Sequence, residues 1–465
     1  MRYISTRGQA PARDFSGVLL AGLAEDGGLF MPETWPHWSP ADLRGLRGLP
    51  YHELAARVLA PFVGECIPFA ALQAMCRDAY AEFTHPAVVP LVQLDAGLWV
   101  QELFHGPTLA FKDLAMQLLG RMFAYVLEQQ NQRVTIIGAT SGDTGSAAIE
   151  ACRGRPGIDV VILHPEGRTS EVQRRQMTTV HARNIANIAV DGTFDDCQDL
   201  VKAMFADVPF RRDLHLSAVN SINWARIAAQ IPYYVAASLA LGGPEREVAF
   251  SVPTGNFGNV LAAWAARRMG VPVTRLVVAS NRNDILARFL DANDMSIRGV
   301  EPSLSPSMDI QISSNFERLL FELLDRDPAA TAAAMQGFRG TGRMAVPQAA
   351  WSRARTLFHG FRLDDAETEA EIRRLHGLGY LADPHTAIGI AAARALPCAH
   401  VPTVAAATAH PAKFPDAMER ATGLRPALPP RLADLFDRTE IYSTAPNSLD
   451  AVEAQVRAFS LRNAA

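Results

Sequence analysis

From about residue 90 onward, short apolar runs recur along the chain, and each is closed by glycine or proline before a helical stretch. The runs are Val134–Ile137 before Gly138, Asp159–Leu163 before His164-Pro165, Ile188–Val190 before Asp191-Gly192, and Val248–Val252 before Pro253-Thr254-Gly255; Val273–Val278 and Val401–Ala407 complete the set. They are apolar throughout rather than alternating, which marks strands buried on both faces of a parallel sheet covered by helices. Before residue 90 the period is helical instead, over Tyr51–Val63 and Phe69–Phe83, with Ser39 or Asp42 placed to cap a helix near Leu43. Residues 290–380 are less regular. Pro302, Pro306 and Gly337–Gly342 mark loops there, and Asp364–Leu378 reads as a charged amphipathic helix.

These patterns predict an α/β protein with two parallel-sheet subdomains and a small N-terminal domain. The expected boundaries are a mostly helical unit over 1–90 and a catalytic region over 91–430. That region divides into halves 91–250 and 251–430, and a helical extension follows over 431–465. The length of 465 residues exceeds one ordinary core and agrees with several units.

Composition narrows the classes. Hydrophobic residues make up 49% and charged residues 20%, the balance of an ordinary globular protein. The net charge is −4 and no basic tract stands out, so nucleic-acid binding has little electrostatic support. The first residues are too polar for a signal peptide, and no apolar run approaches the roughly 20 residues of a membrane span. The run Val235–Leu241 stops at Gly242-Gly243-Pro244. Five cysteines without a C-x-x-C pair read as scattered thiols in a reducing compartment, so a cytoplasmic location is expected. His85, His164, His181 and His385 do not cluster with carboxylates at ligand spacing, and no metal is expected.

In open parallel sheets, ligands bind beyond the carboxyl ends of the strands. Several polar motifs fall in such places. Gly138–Ala148 lies between a strand and a helix, where small residues and a helix N-terminus suit an anion, and Thr140, Ser141 and Thr144 add hydroxyls beside Asp143. It lacks the lysine of a nucleotide-triphosphate loop. Gly255-Asn256-Phe257-Gly258-Asn259 follows another strand and can form a backbone nest for phosphate. Two such loops at different strand ends suggest a ligand with two anionic handles. Thr408 offers a neutral hydroxyl after the run 401–407, with His410 and Lys413 close behind. In the stretch Val219–Arg226, Asn220, Ser221 and Asn223 precede a helix and Arg226 can clamp a phosphate, although a helix cap with a surface arginine has the same appearance.

The last motif is His105-Gly106-Pro107-Thr108-Leu109-Ala110-Phe111-Lys112-Asp113. Alone, Lys112 reads as a helix-start lysine lying along its own stem. In this apolar setting burial would lower its pKa and leave a neutral amine able to condense with a carbonyl.

Together, His105–Asp113, Ala139–Ala148, Asn220–Arg226, Gly255–Asn259 and Ala407–Phe414 resemble the threonine synthases of the longer bacterial and fungal type. These belong to the tryptophan-synthase-β-like, fold-type II group of pyridoxal-phosphate enzymes. The resemblance covers nearly the whole chain, including Gly27–Phe30 and Ser303–Asp309. It implies that Lys112 carries pyridoxal 5'-phosphate covalently and serves as the main proton shuttle. Gly255–Asn259 would cradle the cofactor phosphate, and Thr408 would face the pyridine nitrogen. Thr140, Ser141, Asp143 and Thr144 would bind the substrate carboxylate and the ring face. Asn220, Ser221, Asn223, Arg226 and Lys413 would bind the phosphate of O-phospho-L-homoserine, which water converts to L-threonine and phosphate. Asn259 stands where some relatives have aspartate. A monomer or homodimer acting on a small molecule is expected. The competing readings are another fold-type II reaction, such as serine or threonine dehydration, and a catalytically silent pyridoxal-phosphate-binding homologue.

Overall fold

In the computed structural model, residues 1–217 and 220–464 are described, with side chains to 460. Ala218 and Val219, the latter the first residue of the fourth motif, lie outside the described residues. The chain opens with an antiparallel ribbon, β1 (Tyr3–Ser5) and β2 (Phe30–Pro32), flanked by helices. Two of these helices, Tyr51–Val63 and Phe69–Tyr80, follow the expected periodicity. Ser39 accepts from the backbone N–H of Asp42 while the Asp42 carboxylate accepts from Ser39, a reciprocal cap that starts Pro40–Arg44.

The chain then alternates between two sheets. β3 (Leu91–Asp95) and β4 (Leu98–Glu102) enter the first. β5 (Val134–Ala139), β6 (Ile158–Pro165), β7 (Ile185–Asp191) and β8 (Leu216–Ser217) build the second. β9 (Val248–Pro253) and β10 (Val273–Ser280) return to the first. β11 (Met295–Ser296) and β12 (Arg343–Met344) form a small separate ribbon. β13 (Phe358–Arg362) and β14 (Thr403–Ala407) complete the first sheet, and β15 (Ser443–Pro446) returns to the second. The first sheet has six strands in the order β13-β10-β9-β14-β4-β3 and the second has five in the order β15-β7-β6-β5-β8. Every pairing in both is parallel except the edge pair β3 and β4. The two-sheet α/β class therefore holds.

The halves 91–250 and 251–430 do not correspond to the sheets. β3 and β4 lie before residue 250 yet pair with the sheet of β9, β10, β13 and β14. The segment 431–465 is more than a helical extension, because β15 adds to β7 in parallel before the helix Leu449–Ala464 begins. Both departures come from pairings between distant residues, such as Ala405 with Val100, which no local pattern carries.

The N-terminal unit is joined to the catalytic core through aromatic packing. Trp224 is fully buried and meets Tyr3, Trp35 and Phe62 with ring centroids 6.1, 5.8 and 5.8 Å apart. Truncating such a residue costs about 3–5 kcal/mol. Trp224 begins the helix Trp224–Ala228, so this cluster anchors the polar residues just before it.

Candidate active site

Lys112 is the first residue of the helix Lys112–Gln130, and the loop before it is fixed from both sides. The Phe111 N–H donates to the Thr408 carbonyl at 2.9 Å, and the His410 N–H donates to the Leu109 carbonyl at 3.0 Å. The loops that end β4 and β14 are thereby tied together. Buried Asp113 accepts from the Thr108 backbone N–H at 2.8 Å and from its hydroxyl at 2.7 Å. A glycine is needed at 106, since a Cβ there would sit 2.4 Å from the Asp113 side chain. Burial pushes the Asp113 carboxyl up to about 6 against these hydrogen bonds.

The Lys112 side chain is only 12% exposed, and its Nζ lies 3.0 Å from Asp143 Oδ2 and 3.5 Å from Ser307 Oγ. Burial lowers its pKa, and the charges of Lys413 and Arg226 lower it further, against the opposing pull of Asp143. The neutral, nucleophilic amine is thereby favoured more than in a solvent-exposed lysine. Asp143 opens the helix Asp143–Cys152 after β5. Its Oδ1 receives Lys413 Nζ at 2.9 Å and Gln173 Nε2 at 2.8 Å. Burial would raise this carboxyl, but Lys112 and Lys413 outweigh burial and hold it well below the usual carboxylate range. Lys413 is fully buried and also donates to the Thr108 carbonyl at 2.6 Å and to Gln176 Oε1 at 3.0 Å. The whole chain has three lysines, Lys112, Lys202 and Lys413, and two of them meet on one carboxylate. That scarcity is visible in the sequence and marks both lysines.

The glycine loop after β9 forms a turn with Phe257 in the left-handed region, φ 63°, directly before the helix Gly258–Arg268. The Phe257 ring is held between Phe316 and Phe358, at 5.9 and 5.8 Å. A side chain at Gly255 would bring a Cβ 2.5 Å from the Ser307 carbonyl oxygen, so the loop packs backbone to backbone against 307. The result is a run of N–H groups at a helix N-terminus, suited to a phosphate. Asn256 Oδ1 accepts from the Ser314 hydroxyl at 3.2 Å. The buried Asn259 Oδ1 accepts from the hydroxyls of Tyr233 and Tyr234. Buried Thr408 follows β14, with its N–H on Thr386 Oγ1 at 3.2 Å.

The remaining residues divide into two groups. Thr140 Oγ1 accepts from the N–H groups of Gly142 and Gly145 at 2.9 and 3.0 Å, which shapes the turn. Asn223 is likewise committed, capping Ala225 and donating to the Leu19 carbonyl at 2.8 Å. Ser141 and Asn220 are exposed, and Thr144 and Ser221 are half-buried. Arg226 is buried, and burial lowers its guanidinium to about 10.

Sequence reasoning missed several participants. Ser307 reaches Lys112 from the irregular segment, and its N–H donates to His385 Nε2 at 3.3 Å while the other nitrogen of that ring lies 2.7 Å from Asp383. Gln173 and Gln176 come from the helix Glu171–Thr178, which in sequence is an ordinary polar helix.

A buried amine of depressed pKa, a backbone nest for phosphate and a neutral strand-end hydroxyl match in chemistry what pyridoxal phosphate requires, an aldehyde-reactive lysine, a phosphate cradle and a ring-nitrogen neighbour. On two parallel sheets they define a fold-type II pyridoxal-phosphate-dependent enzyme. The sequence profile described as pyridoxal-phosphate dependent enzyme matches residues 84–348. Those for threonine synthase N terminus and threonine synthase, C-terminal match residues 2–80 and 386–456. The threonine synthase of Pseudomonas aeruginosa is 55% identical over 463 residues, covering 98% of both chains. The PLP-bound threonine synthase of Brucella melitensis superposes with a TM-score of 0.97 at 53% identity over 99% of each chain. Threonine synthase from yeast does so with 0.94 at 37% identity, again over 99% of each. The chain belongs to the threonine synthase family.

Proposed function

We propose that this chain converts O-phospho-L-homoserine and water to L-threonine and inorganic phosphate. The observation that carries the reading is the meeting of Lys112, Asp143 and Lys413 in one buried cluster, with Arg226 close enough to depress the Lys112 pKa. A substrate with both a carboxylate and a phosphate calls for cations and a helix N-terminus beside the reactive amine. A substrate without phosphate needs no second anion site.

When bound, pyridoxal phosphate supplies the electron sink that lets protons leave the substrate carbons. Lys112 would hold it, the N–H groups of Gly255–Gly258 would receive its phosphate, and Thr408 would place an uncharged hydroxyl by its ring nitrogen. Lys112 Nζ takes and returns protons, and burial lowers the pKa that governs this exchange below that of an ordinary lysine. Asp143 orients that amine and stays ionised while doing so. Lys413, fixed by Thr108 and Gln176, is held against the Asp143 carboxylate. Arg226 and Lys413 neutralise the departing phosphate, and Ser141 and Thr144 line the approach of the substrate carboxylate. We read the enzyme as a monomer or a homodimer acting on a small molecule. Among the described residues no helix is long and apolar enough to cross a membrane.

The test is to incubate the holoenzyme with O-phospho-L-homoserine and measure phosphate and L-threonine. Equal release of both is expected. Formation of 2-oxobutanoate from L-threonine with no phosphate released would assign the chain to dehydration instead. Cofactor binding with neither product would make it a silent homologue.

A further inference from the structure

Asn315 immediately precedes the helix Phe316–Leu323 and is fully buried. Its backbone N–H donates to the Asn256 carbonyl at 3.1 Å. Its side-chain Nδ2 donates to the same carbonyl at 2.9 Å and to the Ser221 carbonyl at 3.0 Å. One amide thus holds two loops at once. The first is the glycine loop after β9 in the six-stranded sheet, and the second is the polar loop after β8 in the five-stranded sheet. Asn315 Oδ1 accepts from the guanidinium of Arg318, one turn further along. Arg318 is fully buried too, and donates to the Phe30 carbonyl at 3.0 Å and to the Ile222 carbonyl at 2.6 Å. The arginine therefore fixes which way the Asn315 amide points, and ties that choice to the N-terminal unit.

We propose that Asn315, oriented by Arg318, is a positioning residue that sets the spacing between the two anion-binding loops and so the length of phosphorylated substrate the cleft accepts. This rests on the reading above, in which the loop before Trp224 serves the substrate phosphate. Asn315 has a geometry suited to this task. Its two Nδ2 hydrogens go to carbonyls on different sheets, so moving either loop breaks a buried hydrogen bond. Its packing is tight, since a Cβ on Gly258 would lie 3.3 Å from Nδ2. The polar contacts of the Lys112 amine are with Asp143 and Ser307, not with Asn315, so replacing Asn315 leaves the reactive amine in place. The N-terminal unit carries no catalytic constellation, yet through Phe30, Arg318 and Asn315 it takes part in substrate selection.

The test compares N315A with the parent holoenzyme using ligands with and without phosphate. The KM for O-phospho-L-homoserine should rise on the order of tenfold, while binding of phosphate-free L-threonine, read from the cofactor's visible absorbance, stays within about twofold. Preference for O-phospho-L-homoserine over the one-carbon-shorter O-phospho-L-serine should narrow by a similar factor. In cofactor-free protein, thermal protection by inorganic phosphate should weaken. N315D keeps the volume and the oxygen facing Arg318 and should show the same split if N315A does not fold. Unchanged KM and selectivity would overturn the proposal. So would a parallel loss of L-threonine binding, KM and melting temperature, or failure of both variants to fold, because either assigns Asn315 to the fold alone. A parent enzyme that releases no phosphate from O-phospho-L-homoserine refutes the functional reading. A parent that does so, with variants showing no split, refutes this inference.

Discussion

The two sheets contribute different kinds of groups to the cluster around Lys112. The six-stranded sheet supplies Lys112 after β4, the glycine loop after β9, and Thr408 and Lys413 after β14. Most of what it offers is fixed by backbone: Phe257 held at positive φ, and the β4 and β14 loops bonded to each other through Phe111 and Thr408. The five-stranded sheet supplies Thr140–Thr144 after β5 and Asn220–Arg226 after β8, and offers side chains and a helix N-terminus. In the function proposed above, the first would hold a cofactor that stays and the second a substrate that comes and goes. The two meet through Asp143, which belongs to the small sheet and binds two lysines of the large one.

That division can be broken most severely at Lys112. K112A should abolish the cofactor's visible absorbance and lower turnover by about 10³-fold or more. A variant that still turned over would remove the large sheet's central role. Gly255→Ala comes next. Its Cβ must displace the Ser307 carbonyl, and overpacking of about 1–3 kcal/mol should weaken cofactor binding by roughly 10–100-fold in equilibrium dialysis. Unaltered affinity would mean that the glycine loop is not the cradle.

A stability measurement examines the loop that carries Lys112. The Asp113 carboxyl is raised from 3.8 to about 6 in the folded state, so the native protein binds that proton more tightly than the unfolded chain does. Its contribution to stability is present at low pH and is lost as pH rises from about 4 to about 6, by about 3 kcal/mol. Denaturant unfolding of the cofactor-free D113N variant and its parent should show this falling slope in the parent only. Asp143 acts in the opposite sense: its depressed pKa contributes stability above the usual carboxylate range, which is lost as pH falls below it.

The smallest effect concerns the junction. The rate at which Lys112 captures the cofactor should rise with pH, with a midpoint below the ordinary lysine value of 10.5. Removing the Asp143 carboxylate (D143N) should move that midpoint lower still. Removing the Lys413 charge (K413M) should move it up. Shifts of the opposite sign would mean that the two sheets are not coupled through this carboxylate.

The placing of the large-sheet motifs at strand ends was legible in the chain because their markers are local. Apolar runs end in glycine or proline, a lysine follows Leu109-Ala110-Phe111, and Gly255 and Gly258 sit at a strand end. What was not legible is what depends on pairings across hundreds of residues. β4 against β14, and β15 against β7, cut across any division drawn along the sequence. Ser307 lies in Ser303–Asp309, a stretch that carried the resemblance without a role, and Asn315 lies in the same irregular segment outside any motif. Asn223 and Asn259 show a second kind of dependence. Each has the right residue type in the right motif, while the partners of its amide come from far away: the Asn223 side chain serves a helix cap and the Leu19 carbonyl, and the Asn259 oxygen receives two buried tyrosines. An asparagine's role depends on where its amide points, and that is decided by tertiary neighbours.

The most direct test of the account is borohydride reduction of the holoenzyme followed by peptide mapping of the three lysines. The pyridoxyl group is expected on Lys112 alone, with exposed Lys202 and buried Lys413 unlabelled. Labelling on Lys413, or no stable label on any lysine, would contradict it.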